Sequence, residues 1–477
     1  MTHVHPTRDD RVVGSLSEVV GGPMGDRATY HWWWSPVRVL LVLAAIGFAL
    51  GLVQKAPCSI DTDHDQNWAY SHMCYTDLRP LYVPRGFAEL AWPFSDDEQT
   101  RARYEVMEYP VGIAYWAWGT AWVTHWLDGS PDLDERYRTP VDQLGGIPGV
   151  QRETSIFQLV NAVGFGALAL LSVWLLAKVN PRRPWDAAAF AVSPTLVLTG
   201  LINWDLLAVV FVAGALWAWS RDRPVLTGVL IGLGTAAKLY PLFLLGAVLV
   251  LCIRQRRYVA CLLAFVWAGV AWLVANAPAL LTGRDQWKVF WEFNSSRGAD
   301  LGSVWLVIDQ AANTTTSAHT INVVSWVFFG AWCAGVLVLG LVARRSPGAA
   351  DPRLAQLGFL IVTGFLLVNK VYSPQYVLWL LPLAVLARPR WRDQIVWQAG
   401  EVFYFCCVWW YLGGYLNPTG GGDVGFYWVA IAVRVLAELY LVGVVVRDIL
   451  RPDRDPVVEL VEGAQPSMTT RSKAVAV

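Results

Sequence analysis

Residues 155–177 read SIFQLVNAVGFGALALLSVWLLA, and Lys178, Arg182 and Arg183 follow directly. A bilayer-crossing helix needs roughly 20 mostly apolar residues, with basic residues gathered where it re-enters the cytoplasm. This stretch meets both conditions. Four others match it: Pro36–Val53, Tyr258–Leu281, Ile321–Ala343 and Phe426–Val446. Shorter apolar pieces lie between them: Asp186–Ile202, Leu206–Trp219, Val225–Ala237, Pro241–Ile253, Leu354–Val368, Tyr376–Ala387 and Ile395–Leu412. These read as tilted, kinked or half-buried helices. No internal repeat stands out.

Composition agrees with that reading. Of 477 residues, 55% are hydrophobic and only 16% charged, too few charges for an ordinary soluble enzyme. The 37 basic and 37 acidic residues cancel, so no global field argues for a nucleic-acid partner. The expected fold is an all-α polytopic membrane protein.

Basic clusters set its orientation. Lys178/Arg182/Arg183, Arg221/Arg223, Arg254/Arg256/Arg257, Arg344/Arg345/Arg353, Arg388/Arg390/Arg392 and Arg447/Arg451/Arg454 belong on the cytoplasmic side. Successive clusters enclose two apolar pieces each, and the polar lead carries Arg8, Arg11 and Arg27. About twelve spans result, with cytoplasmic tails at residues 1–35 and 447–477 around a transmembrane region at 36–446. The lead lacks the form of a cleaved signal peptide, so the first span reads as a retained anchor. Val111–Leu127 would break this parity as a span. Its Tyr115, Trp118, Trp122 and Trp126 recur at helical spacing and suit an interfacial helix, with a true span as the alternative. A large external loop at 54–154 and a second at 282–320 follow.

The seven cysteines show no zinc spacing. Five sit in apolar runs; Cys58 and Cys74 fall in the first external loop, where they either form a disulfide or stay free. The same loop holds Asp61, Asp63 and Asp65, which form a solvated acidic turn or, alternatively, ligate a divalent cation. No other metal or cofactor is implied.

Polar breaks interrupt the apolar helices at one level: Asn203-Trp204-Asp205, Lys238-Leu239-Tyr240-Pro241, and Asn369-Lys370-Val371-Tyr372-Ser373-Pro374-Gln375-Tyr376. Broken helices are tolerated at depth where they line a cavity. The lysines taken singly could equally snorkel to headgroups. Asp77, beside aromatic and apolar neighbours and close to Arg79, is a carboxylate open to desolvation. Arg434 and Glu438, four apart in the last span, are expected to pair structurally, and His125 to lie at the interface.

The run Tyr75-Thr76-Asp77-Leu78 through Leu81-Tyr82 and Arg85-Gly86-Phe87, then Glu108-Tyr109-Pro110, resembles the first external loop of glycosyltransferase family 87. That family belongs to the GT-C class and includes mycobacterial polyprenyl-phosphate-mannose-dependent mannosyltransferases. The three polar breaks also resemble its later landmarks. The resemblance implies a GT-C-like fold and an inverting transfer of a sugar, mannose first and arabinofuranose as the alternative, from a polyprenyl-phosphate donor to a lipid- or glycan-linked acceptor outside the plasma membrane. It makes Asp77 the base and Lys238, Lys370, Arg79 and Arg297 the cations for the donor phosphate. Asp205, Glu108, Asn203, Tyr240, Tyr372 and Gln375 then orient the substrates. Outside the enzymes, the features also describe a lipid-linked-sugar flippase or transporter, or a non-catalytic assembly subunit.

Overall fold

The computed structural model describes residues 10–20, 32–60, 66–343, 351–417 and 422–458. Helix α1 (Arg11–Val20) precedes the long apolar α2 (Pro36–Ile60). Short helices then follow: α3 (Gln66–Ser71), α4 (Leu78–Tyr82), α5 (Glu98–Arg103), α6 (Val111–Leu127), α7 (Leu133–Tyr137) and α8 (Val141–Leu144). The bundle continues with α9 (Pro148–Val179), α10 (Ala188–Ala191), α11 (Pro194–Thr199), α12 (Asp205–Ser220), α13 (Pro224–Ala237), α14 (Leu244–Gln255) and α15 (Tyr258–Thr282). It ends with α16 (Arg284–Ser296), α17 (Val304–Ala312), α18 (Ala318–Val342), α19 (Leu354–Val368), α20 (Val377–Ala387), α21 (Trp391–Leu412) and α22 (Val424–Leu450). No strand occurs among the described residues.

Among the described residues, five helices are long and apolar enough to cross a membrane: α2 over Pro36–Cys58, α9, α15, α18 and α22. Helices α12, α13 and α19 are apolar but shorter; α14 and α20 are each extended by one 3₁₀ turn, starting at Tyr240 and Pro374. The stretch expected as one piece at Asp186–Ile202 is instead divided. Pro184 opens a 3₁₀ turn, and Ser193 with Pro194 restarts the helix, the Ser193 hydroxyl accepting Leu196 N at 3.2 Å.

Close helix packing fixes the middle of the bundle. A Cβ on Gly228 would lie 2.3 Å from Ala264 O, and one on Gly232 would lie 2.3 Å from Ala268 O. The bare backbone at these two positions therefore lets α13 lie directly on α15, a small-residue contact of the kind membrane helices use. Lys238 follows α13 in an extended conformation (φ −151°, ψ 152°), and Pro241 bars a straight continuation.

At the opposite end from that break, the basic clusters are knitted together. Arg388 reaches Asp393 at 2.7 Å and Asp448 at 2.6 Å. Arg183 forks onto Asp186 at 2.9 and 3.0 Å, Arg254 meets Asp351 at 2.6 Å, and Arg353 pairs with Asp455. Buried charges in apolar surroundings need such partners. Arg434 behaves likewise, with a correction: its Nε lies 2.8 Å from Glu401 on α21, whereas Glu438 accepts the Tyr372 hydroxyl at 3.1 Å. His125 is not simply an interfacial ring, because its Nδ1 lies 3.6 Å from the buried Glu153.

Candidate active site

The helix breaks enclose a cavity of about 630 Å³. Asp77, Glu108, Asn203, Lys238, Lys370 and Gln375 all line it, and Arg297 joins them from the end of α16. Residues nearly 300 positions apart in the chain thus face one space.

Asp77 stands at the N-terminus of α4. Its backbone N–H donates to Ile202 O at 2.8 Å and the Thr76 hydroxyl donates to the same oxygen at 3.1 Å, which ties the loop to the Asn203 break. Below, the buried Lys55 of α2 donates to Tyr75 O at 2.9 Å, and Cys58 is joined to Cys74 by a disulfide. The end of α2 therefore holds the segment that carries Asp77. The Tyr109 hydroxyl donates to Asp77 Oδ2 at 2.9 Å. Burial raises the proton affinity of the Asp77 carboxyl above its ordinary value, opposed by hydrogen bonds from Tyr109 and Tyr75 and by the Lys238 charge. Burial, with the Asp77 charge adding to it, raises the Tyr109 phenol well above its own, so Tyr109 remains a neutral donor.

Lys238 reaches the cavity already paired. Its Nζ lies 3.1 Å from Asp205 Oδ1, and it sits 4.7 Å above the Tyr109 ring and 5.9 Å from the rings of Tyr376 and Trp379. Asp205 is fully buried behind it, opens α12, and also accepts Trp379 Nε1 at 3.0 Å. One full charge is thereby compensated within an aromatic cage.

Lys370 differs. Its Nζ donates to two neutral oxygens, Asn322 Oδ1 at 2.7 Å and Ser295 O at 3.3 Å. Burial, and next the nearby Arg297 charge, lower its proton affinity. Arg297 itself donates to Asp300 Oδ2 through Nε at 2.8 Å. Lys370 and Arg297 share a single carboxylate in this set, which leaves excess positive charge beside the cavity. An anion there would be stabilised strongly.

Beyond these cations the lining turns apolar: Phe290 and Trp291 from α16, Ile321, Trp326 and Phe329 from α18, and Phe365 from α19. This arm suits a hydrocarbon chain lying beside a charged head.

Four residues expected in the site do not line the cavity: Asp205, which backs Lys238, and Arg79, Tyr240 and Tyr372. Arg79 does not line the cavity; its guanidinium donates to Gln158 at 3.3 Å and Ser155 at 3.5 Å on α9. Tyr240 is buried flat against Trp379, centroids 4.7 Å apart, and backs the cage rather than facing the space. Tyr372 is buried beneath the Arg434 guanidinium, 3.4 Å from its ring centroid. Glu108 stays on the lining but is held by Arg85 at 2.7 Å. Asp61, Asp63 and Asp65 lie outside the described residues.

Several lining groups were not singled out by sequence: Tyr109 and Tyr75 on Asp77, Trp379 on Asp205, and Asn322 on Lys370. Tyr109 stands within the Glu108-Tyr109-Pro110 run, and its hydroxyl is one available signal. Asn322, one polar residue near the start of an apolar helix, is another.

The model of glycosyltransferase family 87 matches residues 149–369, which include Asn203, Asp205, Lys238 and Arg297. The chain is also 29% identical over 240 residues to a polyprenol-phosphate-mannose-dependent alpha-(1-2)-phosphatidylinositol pentamannoside mannosyltransferase of Mycolicibacterium smegmatis. That alignment covers 48% of this chain and 54% of the relative, so the chain spans about half the length of the protein it matches. Both matches support the resemblance to a GT-C glycosyltransferase that the residues suggested.

Proposed function

We propose that this protein is an inverting glycosyltransferase that moves a sugar from a polyprenyl-phosphate donor to an envelope glycolipid or glycan. The observation that carries the reading is one cavity holding a desolvated carboxylate, Asp77, together with the Lys370–Arg297 cation pair and an apolar arm. Mannose is the donor sugar of first choice, by analogy with the mycobacterial relative; arabinofuranose is the alternative. The positive-inside reading, with about twelve spans and both tails in the cytoplasm, supports a cavity at the outer face of the plasma membrane.

The residues support the chemistry as follows. The isoprenoid lies in the apolar arm, and its phosphate meets Lys370 and Arg297. An acceptor hydroxyl attacks the anomeric carbon. As the new carbon–oxygen bond forms, its proton passes to the Asp77 carboxylate and the sugar–phosphate bond breaks. Negative charge grows on the departing phosphate, where preformed cations lower the barrier. A single displacement needs one carboxylate base, unlike the paired carboxylates of glycosidases. Lys238, neutralised by Asp205, orders Tyr109 and with it Asp77. Asn203 and Gln375 supply polar edges for the sugars, and Glu108 holds Arg85 at the rim.

The test uses protein in nanodiscs with radiolabelled polyprenyl-phosphate mannose or arabinose and an envelope glycolipid extract. Wild type should transfer one of the sugars and Asp77→Asn should not. Transfer by both moves the base elsewhere. Tight binding of a donor by wild type without its consumption favours a flippase.

A further inference from the structure

Asn322, near the start of α18, lines the cavity and bridges two groups of opposite demand. Its Oδ1 accepts Lys370 Nζ at 2.7 Å, and its Nδ2 donates to Ser295 O at 2.8 Å. An ammonium only donates and a carbonyl oxygen only accepts, so the amide can stand in one orientation alone. Ser295 O also takes Lys370 Nζ, at 3.3 Å. That oxygen belongs to the last turn of α16, where unsatisfied carbonyls favour a cation without supplying a full counter-charge. Amide, ammonium and carbonyl therefore form one closed set of contacts that fixes Lys370 and leaves it uncompensated.

The surrounding backbone is held by other groups. Asp300 N donates to Lys370 O at 2.8 Å, and Tyr372 N donates to Leu301 O at 2.8 Å. Further along α18, the Ser325 hydroxyl donates to Val368 O at 2.6 Å, and Trp305 Nε1 reaches the same oxygen at 2.9 Å. The break at Lys370 is thus pinned to α18 and to the chain after Arg297 without Asn322. What Asn322 contributes is the place of the ammonium and the charge beside it. At Lys238 the corresponding acceptor is a carboxylate, Asp205. A carboxylate at position 322 would satisfy the Lys370 ammonium equally well. It would also cancel the excess positive charge left by Lys370 and Arg297 against Asp300 alone.

We propose that Asn322 is a positioning residue that sets the charge of the pocket: it holds the Lys370 ammonium through a neutral acceptor and so keeps it available to an anionic lipid headgroup. The inference rests on the placement of the donor phosphate at Lys370 and adds the residue that makes this lysine, unlike Lys238, an anion receptor. Asn322 acts through Lys370. Its amide matters for being uncharged as much as for its hydrogen bonds.

The test compares full-length wild type, Asn322→Asp, Asn322→Ala and Lys370→Ala in nanodiscs. Equilibrium binding of radiolabelled farnesyl phosphate is the probe, with farnesol as the uncharged control. Asn322→Asp should keep or raise the melting temperature and weaken farnesyl phosphate binding by about ten- to a hundredfold, the scale of a lost charge-assisted contact. Farnesol binding should not change. Asn322→Ala, which loosens the ammonium but adds no charge, should lose less than Asn322→Asp. In the transfer assay Asn322→Asp should raise the donor KM and leave the acceptor KM unchanged. Wild-type binding by Asn322→Asp, with binding lost in Lys370→Ala, overturns the role of Asn322 alone. Equal losses in the aspartate and alanine variants, or a lower melting temperature that accompanies the aspartate loss, also overturn it, because position or folding would then be the cause. Farnesyl phosphate binding that Lys370→Ala does not weaken refutes the phosphate placement beneath the proposal.

Discussion

Tyr109→Phe isolates one hydrogen bond in the proposed mechanism. The phenol donates to Asp77 Oδ2 at 2.9 Å, while its ring lies 4.7 Å from the Lys238 ammonium. Phenylalanine keeps the ring and deletes only the donor. A hydrogen bond to a charged group contributes roughly 1.5–3 kcal/mol, and about 1.4 kcal/mol corresponds to one pH unit. The full loss would thus raise the Asp77 proton affinity by about one to two units. Tyr75 and Lys238 still favour the carboxylate, and water can enter a cavity of this size, so the lower figure applies. Asp77 works as a base only when ionised. Activity therefore falls as pH drops through its folded-state value, and removal of a group that favours ionisation moves this acid limb upward. The assay is kcat/KM for sugar transfer against pH. We expect the acid limb of Tyr109→Phe to move about one unit to higher pH, with rates on the alkaline plateau within a few-fold of wild type. An acid limb that stays in place or moves to lower pH would refute the assignment of Asp77 as the titrating base.

Other outcomes follow from the same geometry. Lys370→Ala removes a cation with neutral partners only, so transfer should fall on the order of a hundredfold through kcat and donor KM, with thermal stability little changed. Asp205→Asn leaves the Lys238 charge buried without its counterion and should cost several kcal/mol, roughly 3–5, seen as a lower melting temperature and weaker expression in detergent. Reduction of Cys58–Cys74, or a Cys58→Ser change, removes a cross-link that closes a loop of 16 residues; a loss of about 3 kcal/mol should appear as earlier thermal inactivation. Gly232→Leu should separate α13 from α15 and abolish folded protein on size exclusion, because even a Cβ there meets Ala268 O at 2.3 Å.

Sequence reading reached the apolar helices and their polar breaks because both are local signals. A run such as Ser155–Ala177 carries its own length and composition, and Lys238 before Pro241 announces an ended helix. Where the structure departs, the deciding contact is distant. Arg434 and Glu438 satisfy every local rule for a pair, yet Glu401 of α21 takes the guanidinium. Tyr372 lies between Lys370 and Gln375 in sequence, yet Glu438 and Arg434 of α22 take its hydroxyl and its carbonyl oxygen away from the cavity. Arg79 sits two residues beyond Asp77, and the turn of α4 carries it round to α9. Composition hid the aromatic groups. With 27 Trp, 17 Tyr and 18 Phe, no single ring attracts notice until its partner is known. Tyr109 and Asp77 are 32 residues apart and Trp379 and Asp205 are 174 apart, so neither pairing has a spacing to read.

The two lysines of the cavity illustrate how burial separates chemically identical side chains. Both follow an apolar helix at a break, and both are nearly buried, at 8% and 9% exposed. Lys238 is 3.1 Å from a fully buried carboxylate, so the pair is close to neutral and adds little field at the cavity centre. Its charge acts on the adjacent Asp77 carboxylate, which it favours, and its position orders the rings around it. Lys370 meets only an amide and a carbonyl oxygen, with Arg297 rather than a carboxylate as its charged neighbour. The donor's phosphodiester, a monoanion, would relieve that uncompensated charge, and the relief grows as the leaving phosphate becomes a dianion. The two positions therefore predict opposite consequences of one substitution. Lys238→Met should leave Asp205 uncompensated and lower stability first, whereas Lys370→Met should spare the fold and lower turnover. Melting temperature and kcat measured on both variants decide the matter, and equal losses in both quantities for both lysines would show that the ion pair with Asp205 does not divide their roles.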